Sequence, residues 1–474
     1  MPLSSRPYPQ YPFSFKAVCK IILLSMLFVP SLHAQQGENS TQGKPVCTAA
    51  NEQHFPDLAA DGERGVIIAW QDARNEDRDV FAQRVGANGD MLWATDGVQV
   101  CGLPSEQIWP TVVSDANGGA IIVFGDGRNG NQDIYAQRVD GSGKPLWQQD
   151  GIPVCVHTAV KTDMRAIADE TGDTIVVWED WRDGNQDIYA QKISARGQAL
   201  WNDNGVPVYR GEGDQYDPFL TADGEGGAIV VWWDISTVDW DVFAQRLNKN
   251  GKPLWTETGV PVCTAAGHQS TPFVVPDGIG GVFSVWLDYR NDANLLSSAD
   301  IYVQRIDATG EIHWQTDGIA LCDAPSNQQV PVGITDGRGG LIVVWRDDRD
   351  IFSDIYAQKL SPTGDRMWQD RGVPVCTAEG EQRKPAIVSD GSHGAIVCWL
   401  DYREDYGNVT HDAIYAQRID GSGRSLWKMD GIPVCTADGS QTTPRVVAEG
   451  DGGAVIVWTD SRGESTDIYF QRVP

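Results

Sequence analysis

The chain has 474 residues, including 51 Gly, 25 Pro and 18 Trp, and 22% of its residues are charged. That composition excludes a coiled coil, a collagen and a disordered chain. Acidic residues number 65 against 37 basic, a formal net charge of −28, and a surface of that sign repels phosphate backbones and argues against nucleic acid as a partner.

Residues 1–34 read as an export signal. Arg6, Lys16 and Lys20 precede an apolar run from Ile21 to Leu32, and Leu32-His33-Ala34 fits a small-residue cleavage site before Gln35. About 12 residues at about 1.5 Å each are too short to span a bilayer, although an uncleaved anchor is the alternative. Cys19 precedes the run, the wrong side for lipid attachment. The expected address is secreted or periplasmic, with no membrane span in the mature chain. Residues 35–43 are polar and read as a short linker.

From residue 44 onward one unit recurs eight times. Trp70, Phe124, Trp178, Trp232, Trp286, Trp345, Trp399 and Trp458 hold the same place, at spacings of 54 or 59 residues. Each unit carries four strand signals and no helical period. In the unit typified by residues 385–388, Pro-Ala-Ile-Val is the short first strand. Gly119 to Phe124 exemplifies the second and Asp133 to Val139 the third. The fourth is expected to contain Leu146-Trp147 and to end at Val154. Asp-Gly turns separate strands one and two, and three and four. Four antiparallel strands per unit describe a propeller blade. The eighth unit ends after its third strand, and the missing piece, Lys44-Pro45-Val46-Cys47, lies at the start. The expected fold is therefore an all-β, eight-bladed propeller over residues 44–474, closed by the N-terminal segment completing the last blade.

Most repeated residues read as structural. Fourteen of the 18 Trp belong to the repeat and are expected to pack blade on blade. Asp-x-Arg follows the second strand in seven units, as in Asp72/Arg74 and Asp288/Arg290, while the fourth unit has Asp234-Ile235-Ser236. An Arg in every such loop favours Asp–Arg pairing over calcium, which wants oxygen ligands without a nearby cation. Seven of the nine Cys occupy equivalent positions in different units, too far apart to bridge, and are expected to be buried and free. Asp57 and Arg445 become neighbours if the ring closes, and a salt bridge across the seam is expected.

Catalytic signals are few. The seven His show no zinc spacing, no Gly-x-Ser-x-Gly elbow occurs, and the Gly-rich turns precede strands rather than helices. No catalytic residue, metal or cofactor is expected. The irregular features cluster in units two to four. Trp109, Trp181, Trp233 and Trp240, the Trp outside the repeat, lie in or beside the loops joining strand two to three and strand four to the next strand one. We refer to that face as the top. Lys161 and Met164 replace the usual Gln and Pro, Tyr209 replaces Cys, and Tyr216, Asp183, Asp214, Asp217 and Asp239 are close in sequence. Both five-residue insertions, after Arg290 and after Arg403, also fall in top loops. Aromatic faces beside carboxylates suit sugar rings; packing of loop on loop is the other reading.

The unit, as in "GGAIIVFGDGRNGNQDIYAQRVDGSGKPLWQQDGIPVC", resembles repeats of exported bacterial propeller proteins, many of unassigned function. Part of it is similar to the tryptophan-docking repeat of quinoprotein-type eight-bladed propellers, Ala-x-Asp-x-x-Thr-Gly-x-x-x-Trp. Asp140, Gly143 and Trp147 keep its order and final spacing, but the Thr is absent and the first gap is one residue short. The resemblance implies Trp-mediated blade packing and does not extend to a quinone cofactor. The functional expectation is a non-catalytic binding module for a carbohydrate or cell-envelope polymer on the top of blades two to four. Trp109, Trp181, Trp233, Trp240 and Tyr216 would stack, and Asp183 and Asp239 would accept hydroxyl hydrogen bonds. A protein–protein scaffold of the envelope, and a glycoside hydrolase or lyase with two carboxylates near the central channel, are the alternatives.

Overall fold

A computed structural model describes residues 41–292, 296–403, 411–450 and 452–474. Residues 1–34, read above as an export signal, and most of residues 35–43 lie outside the described residues, as do parts of both insertions. The described strands form eight four-stranded antiparallel sheets. Blade one comprises Gln53–Ala60, Val66–Asn75, Asp77–Val85 and Val98–Cys101, and the pattern repeats to blade eight. There Lys44–Cys47 pairs with Asp467–Val473, Lys44 opposite Phe470 and Pro45 opposite Tyr469. The ring is closed as expected from the split unit. No helix among the described residues is long and apolar enough to cross a membrane.

The second strand of each blade is an apolar run because neighbouring blades cover both of its faces. Every residue of Ala120–Asp126 is buried, as is every residue of Thr174–Asp180. The ring-bearing residue at its end sits at the centre of a four-part clamp. Trp70 Nε1 donates to Asp72 Oδ2 at 2.8 Å, and Arg74 donates from Nε to Asp72 Oδ1 at 2.8 Å. Arg74 Nη2 reaches Cys47 Sγ at 3.1 Å and the Asp96 carbonyl at 2.8 Å, with the guanidinium 3.9 Å over the Phe81 ring. Asp–Arg pairs of this kind occur in seven blades. All eight described cysteines are buried and free. Burial pushes the Cys47 thiol up to about 12, which keeps it a neutral thiol.

Blade four solves the same packing problem differently. It has no Arg after Asp234, and Trp232 Nε1 has no hydrogen-bond partner. Tyr209, which stands where other blades have Cys, stacks on Trp232 at 5.6 Å and 19° and covers that ring's face instead.

The fourth strand is shorter than its sequence signal. It spans four residues, Ile152–Cys155 in blade two, and Trp147 lies before it in the turn, after an isolated bridge from Val139 to Pro145. The reason is the use made of that Trp: its ring leaves the sheet to touch the neighbouring blade. Trp93 Nε1 donates to the Gly141 carbonyl of the next blade at 3.0 Å. Gly143 lies over that ring at φ +83°, and a Cβ there would come within 2.8 Å of it, so only glycine permits the approach.

Candidate functional site

The strands nearest the axis run eight residues, such as Lys161–Ala168, and all eight carry the same irregularity. The third residue of each takes a positive φ: Phe55, Trp109, Asp163, Asp217, Thr271, Val330, Lys384 and Thr443, between 44° and 53°. The pairing register slips around each one. A left-handed residue costs about 1–3 kcal/mol when it is not glycine, more so for Thr or Val, and persists only where the surrounding fold enforces it. The backbone at this position is thus uniform while the side chain changes in nature from blade to blade. Phe55, Trp109, Asp163 and Thr443 line a cavity of about 680 Å³ at the top of the axis.

That cavity reaches from the axis into the seam between blades two and three, where Gly125, Gln132, Asp133 and Lys161 also line it. A Cβ at Gly125 would come within 2.6 Å of Gln132 Nε2, so glycine there makes room for that side chain. Lys161 is buried and ties the seam, its ammonium 2.8 Å from Asp133 Oδ1. Asp57, Arg165, Phe219 and Arg445 form the next tier towards the axis. The Arg165 guanidinium lies 4.0 Å over the Phe219 ring and 3.1 Å from Asp163 Oδ1.

The expected Asp57–Arg445 salt bridge is not formed. Among the described residues no ion pair joins them; Asp57 Oδ2 instead accepts the Val112 N–H at 2.8 Å. Burial pushes the Asp57 carboxyl up from its ordinary value, opposed by that N–H and by the charge of Arg445. The backbone donor of the neighbouring inner strand holds the carboxylate away from the guanidinium.

Asp163, Glu179 and Asp217 bring carboxylate oxygens within 4.8 Å of one another. Burial raises both Asp163 and Glu179, and the neighbouring carboxylates add to it. Glu179 is engaged at both oxygens, accepting the Thr162 hydroxyl at 2.6 Å and the Asp217 N–H at 2.9 Å. Arg165 already provides a cation against Asp163, so the cluster's charge is partly met by the protein itself.

Asp217 joins this cluster to an aromatic stack. Its Oδ2 accepts Trp233 Nε1 at 2.8 Å. Tyr216 stacks on Trp233 at 4.5 Å and 20°, Trp240 follows at 4.9 Å, and His268 lies 4.5 Å beyond Trp240. Tyr216, Trp233 and Trp240 are each half-buried. The structure therefore brings these three together. Trp109 is apart from them on the axis and 50% exposed, and Trp181 is 39% exposed on its own loop, tied through its N–H to the Val160 carbonyl. Asp183 accepts the Tyr189 hydroxyl at 2.7 Å and lies 3.7 Å from Arg210, while Asp239 Oδ2 accepts the Gly267 N–H at 3.3 Å. Asp183 makes local loop contacts, while Asp239 precedes Trp240 and bonds to the residue before His268, at the far end of the stack. Asp163, Arg165 and Glu179 were not singled out from sequence. A signal for them existed: in a chain that otherwise repeats, the residue before the inner-strand Pro, or before Met164, differs in character from blade to blade.

No family model and no curated protein matches this sequence. Solved structures share the fold. A polysaccharide lyase, an ulvan lyase, aligns over 80% of this chain and 97% of its own at 13% identity and a TM-score of 0.47. The Hadza microbial sialidase aligns over 72% and 73% at 11% identity and 0.40. A puromycin-hydrolysing peptidase of Mycobacterium tuberculosis aligns over 90% of this chain and 62% of its own at 13% identity and 0.48. At such identities the likeness concerns the fold alone.

Proposed function

We propose that this protein is an exported, non-catalytic binding module that takes a carbohydrate or cell-envelope polymer on its top face, around the axial cavity and blades two to four. One observation carries the reading. Asp217 holds Trp233 with one carboxylate oxygen and lies within 4.8 Å of Asp163, a wall of the cavity. Aromatic stack and cavity thus adjoin, with carboxylates at the join. Such a surface offers ring faces to sugar C–H groups and acceptors to hydroxyls. Trp181, Asp183 and Asp239 would belong to its rim.

Binding is favoured over hydrolysis by the state of Glu179. It is 6% exposed, does not line the cavity and has both oxygens occupied, so the acidic cluster presents no free acid–base pair to a bound glycoside. The test is titration of the protein with a panel of soluble polysaccharides, followed by tryptophan fluorescence. A saturable change that is lost in a folded Trp109→Ala/Trp240→Ala variant supports the reading. No response to any polysaccharide overturns it and favours an envelope protein as partner.

A further inference from the structure

We infer that the polymer bound at this face is built of uronic acids, and that Arg445 and Arg165 in the axial cavity hold its carboxylate. This rests on the carbohydrate reading above and names the sugar class.

The inner-strand tier containing Asp57 has one position per blade. Only Asp57, Arg165 and Arg445 are charged there; the other five blades place Thr, Phe, Phe, Val and Ala. In a chain of net charge −28, this cavity is lined by as many basic as acidic side chains, Lys161, Arg165 and Arg445 against Asp57, Asp133 and Asp163. Repulsion from the rest of the surface is screened over about 8 Å at physiological ionic strength, so the local charges decide what enters.

Arg445 is not engaged by the fold, and Arg165 is engaged only in part. Arg445 is exposed at the cavity and, among the described residues, has no hydrogen bond or ion pair. Asp57, the nearest acid by charge, is turned away to the Val112 N–H. Arg165 is held in one orientation by the Phe219 ring beneath it and by Asp163 at one end, and its Nε is without a partner. A stacked, oriented guanidinium is prepared for a planar oxyanion, which it can meet with two parallel N–H donors.

The surroundings select the kind of anion. Asp163, Glu179 and Asp217 adjoin the cavity and would repel a second negative charge. Asp163, which lines the cavity, would accept hydrogen bonds from hydroxyls. A ligand with one carboxylate and several hydroxyls on each ring satisfies both halves of the site. Trp109 and Phe55, each about half exposed at the mouth, supply faces for the ring itself. A phosphate monoester would bring more than one negative charge to the same acidic surroundings.

The experiment titrates the full chain with polygalacturonate, alginate and hyaluronate, with the carboxyl-reduced form of each, and with dextran sulfate. Arg445→Ala and Arg445→Lys run beside the native protein. We expect at least one uronic polymer to bind about tenfold or more tighter than its reduced form, the effect of losing one charge-assisted pair. Arg445→Ala should remove that preference by weakening binding of the uronic polymer more than of its reduced form, and Arg445→Lys should restore part of it. Equal binding of native and reduced polymers, an Arg445→Ala variant that weakens both alike, or a preference for dextran sulfate each overturns the inference and leaves the carbohydrate reading standing. Absence of binding to every polysaccharide overturns both. Arg445 has no structural partner to lose, so folding of its variants is expected and is checked by their melting midpoint.

Discussion

Asp354 opens the third strand of blade six, opposite Asp347, and is almost fully buried. Burial pushes its carboxyl up to about 7, and Asp350, Asp347 and Asp430 add repulsion. In the unfolded chain the same group titrates near about 3.9. A folded value above the unfolded one means that the folded state holds the proton more tightly. The associated stability is complete below about pH 4 and is lost as pH rises through about 7. Three units at about 1.4 kcal/mol each set an upper bound of about 4 kcal/mol, and water reaching this partly enclosed carboxyl reduces the effect to about 2 kcal/mol. Asp354→Asn keeps the shape and removes the charge, and the acidic neighbours provide acceptors for its amide. Denaturant unfolding at pH 8 should show the variant more stable by about 2 kcal/mol, with the difference close to zero at about pH 3, below the unfolded value. Equal destabilisation at both pH values would mean that the carboxylate makes a stabilising contact, and would refute the reasoning.

The same sign applies to Asp187, Asp241 and Asp467, each pushed up to about 6, chiefly by burial. Melting temperature should therefore fall between pH 5 and pH 8; a flat or rising profile would contradict this assignment. At the acid end Asp180 acts oppositely: burial alone would raise it, but hydrogen bonds from Arg182 and Trp178 hold it below the usual carboxylate range. Its contribution is lost as pH falls below about 4, which places the stability maximum between about pH 4 and 5. Arg290→Ala should cost about 3 kcal/mol, because it leaves the fully buried Asp288 without a cation, with the Trp286 Nε1–H and the backbone N–H of residue 290 as its remaining donors; a change below about 0.5 kcal/mol in denaturant unfolding would show the clamp to be dispensable. Tyr209→Ala should cost about 2–4 kcal/mol by uncovering Trp232, whereas Tyr209→Phe should cost little, since the ring face is what packs.

The blade count, the ring closure and the roles of Trp70, Asp72, Arg74 and Cys47 were legible in sequence because each recurs in nearly every unit, and packing against an identical neighbour demands identical residues. Blade four was legible as an exception, but that Tyr209 substitutes for an arginine could be read only once their places in space were known. The site was less legible. A residue before proline reads as extended chain, so nothing in the Phe55-Pro56 or Trp109-Pro110 dipeptides announces a left-handed turn aimed at the axis. Asp163, Glu179 and Asp217 come from three different strands of two blades, and their meeting depends on register. Asp57 and Arg445 were correctly placed as neighbours. Their failure to bridge follows from a backbone N–H, that of Val112, which no side-chain pattern reveals.

The most direct test of the account is a structure of the protein with its tightest-binding oligosaccharide. Sugar density is expected in the axial cavity, with a ring against Trp109, a carboxylate at Arg445 and hydroxyls towards Asp163. Ordered sugar on the lower face, or at the outer edges of the blades with the cavity empty, would contradict it.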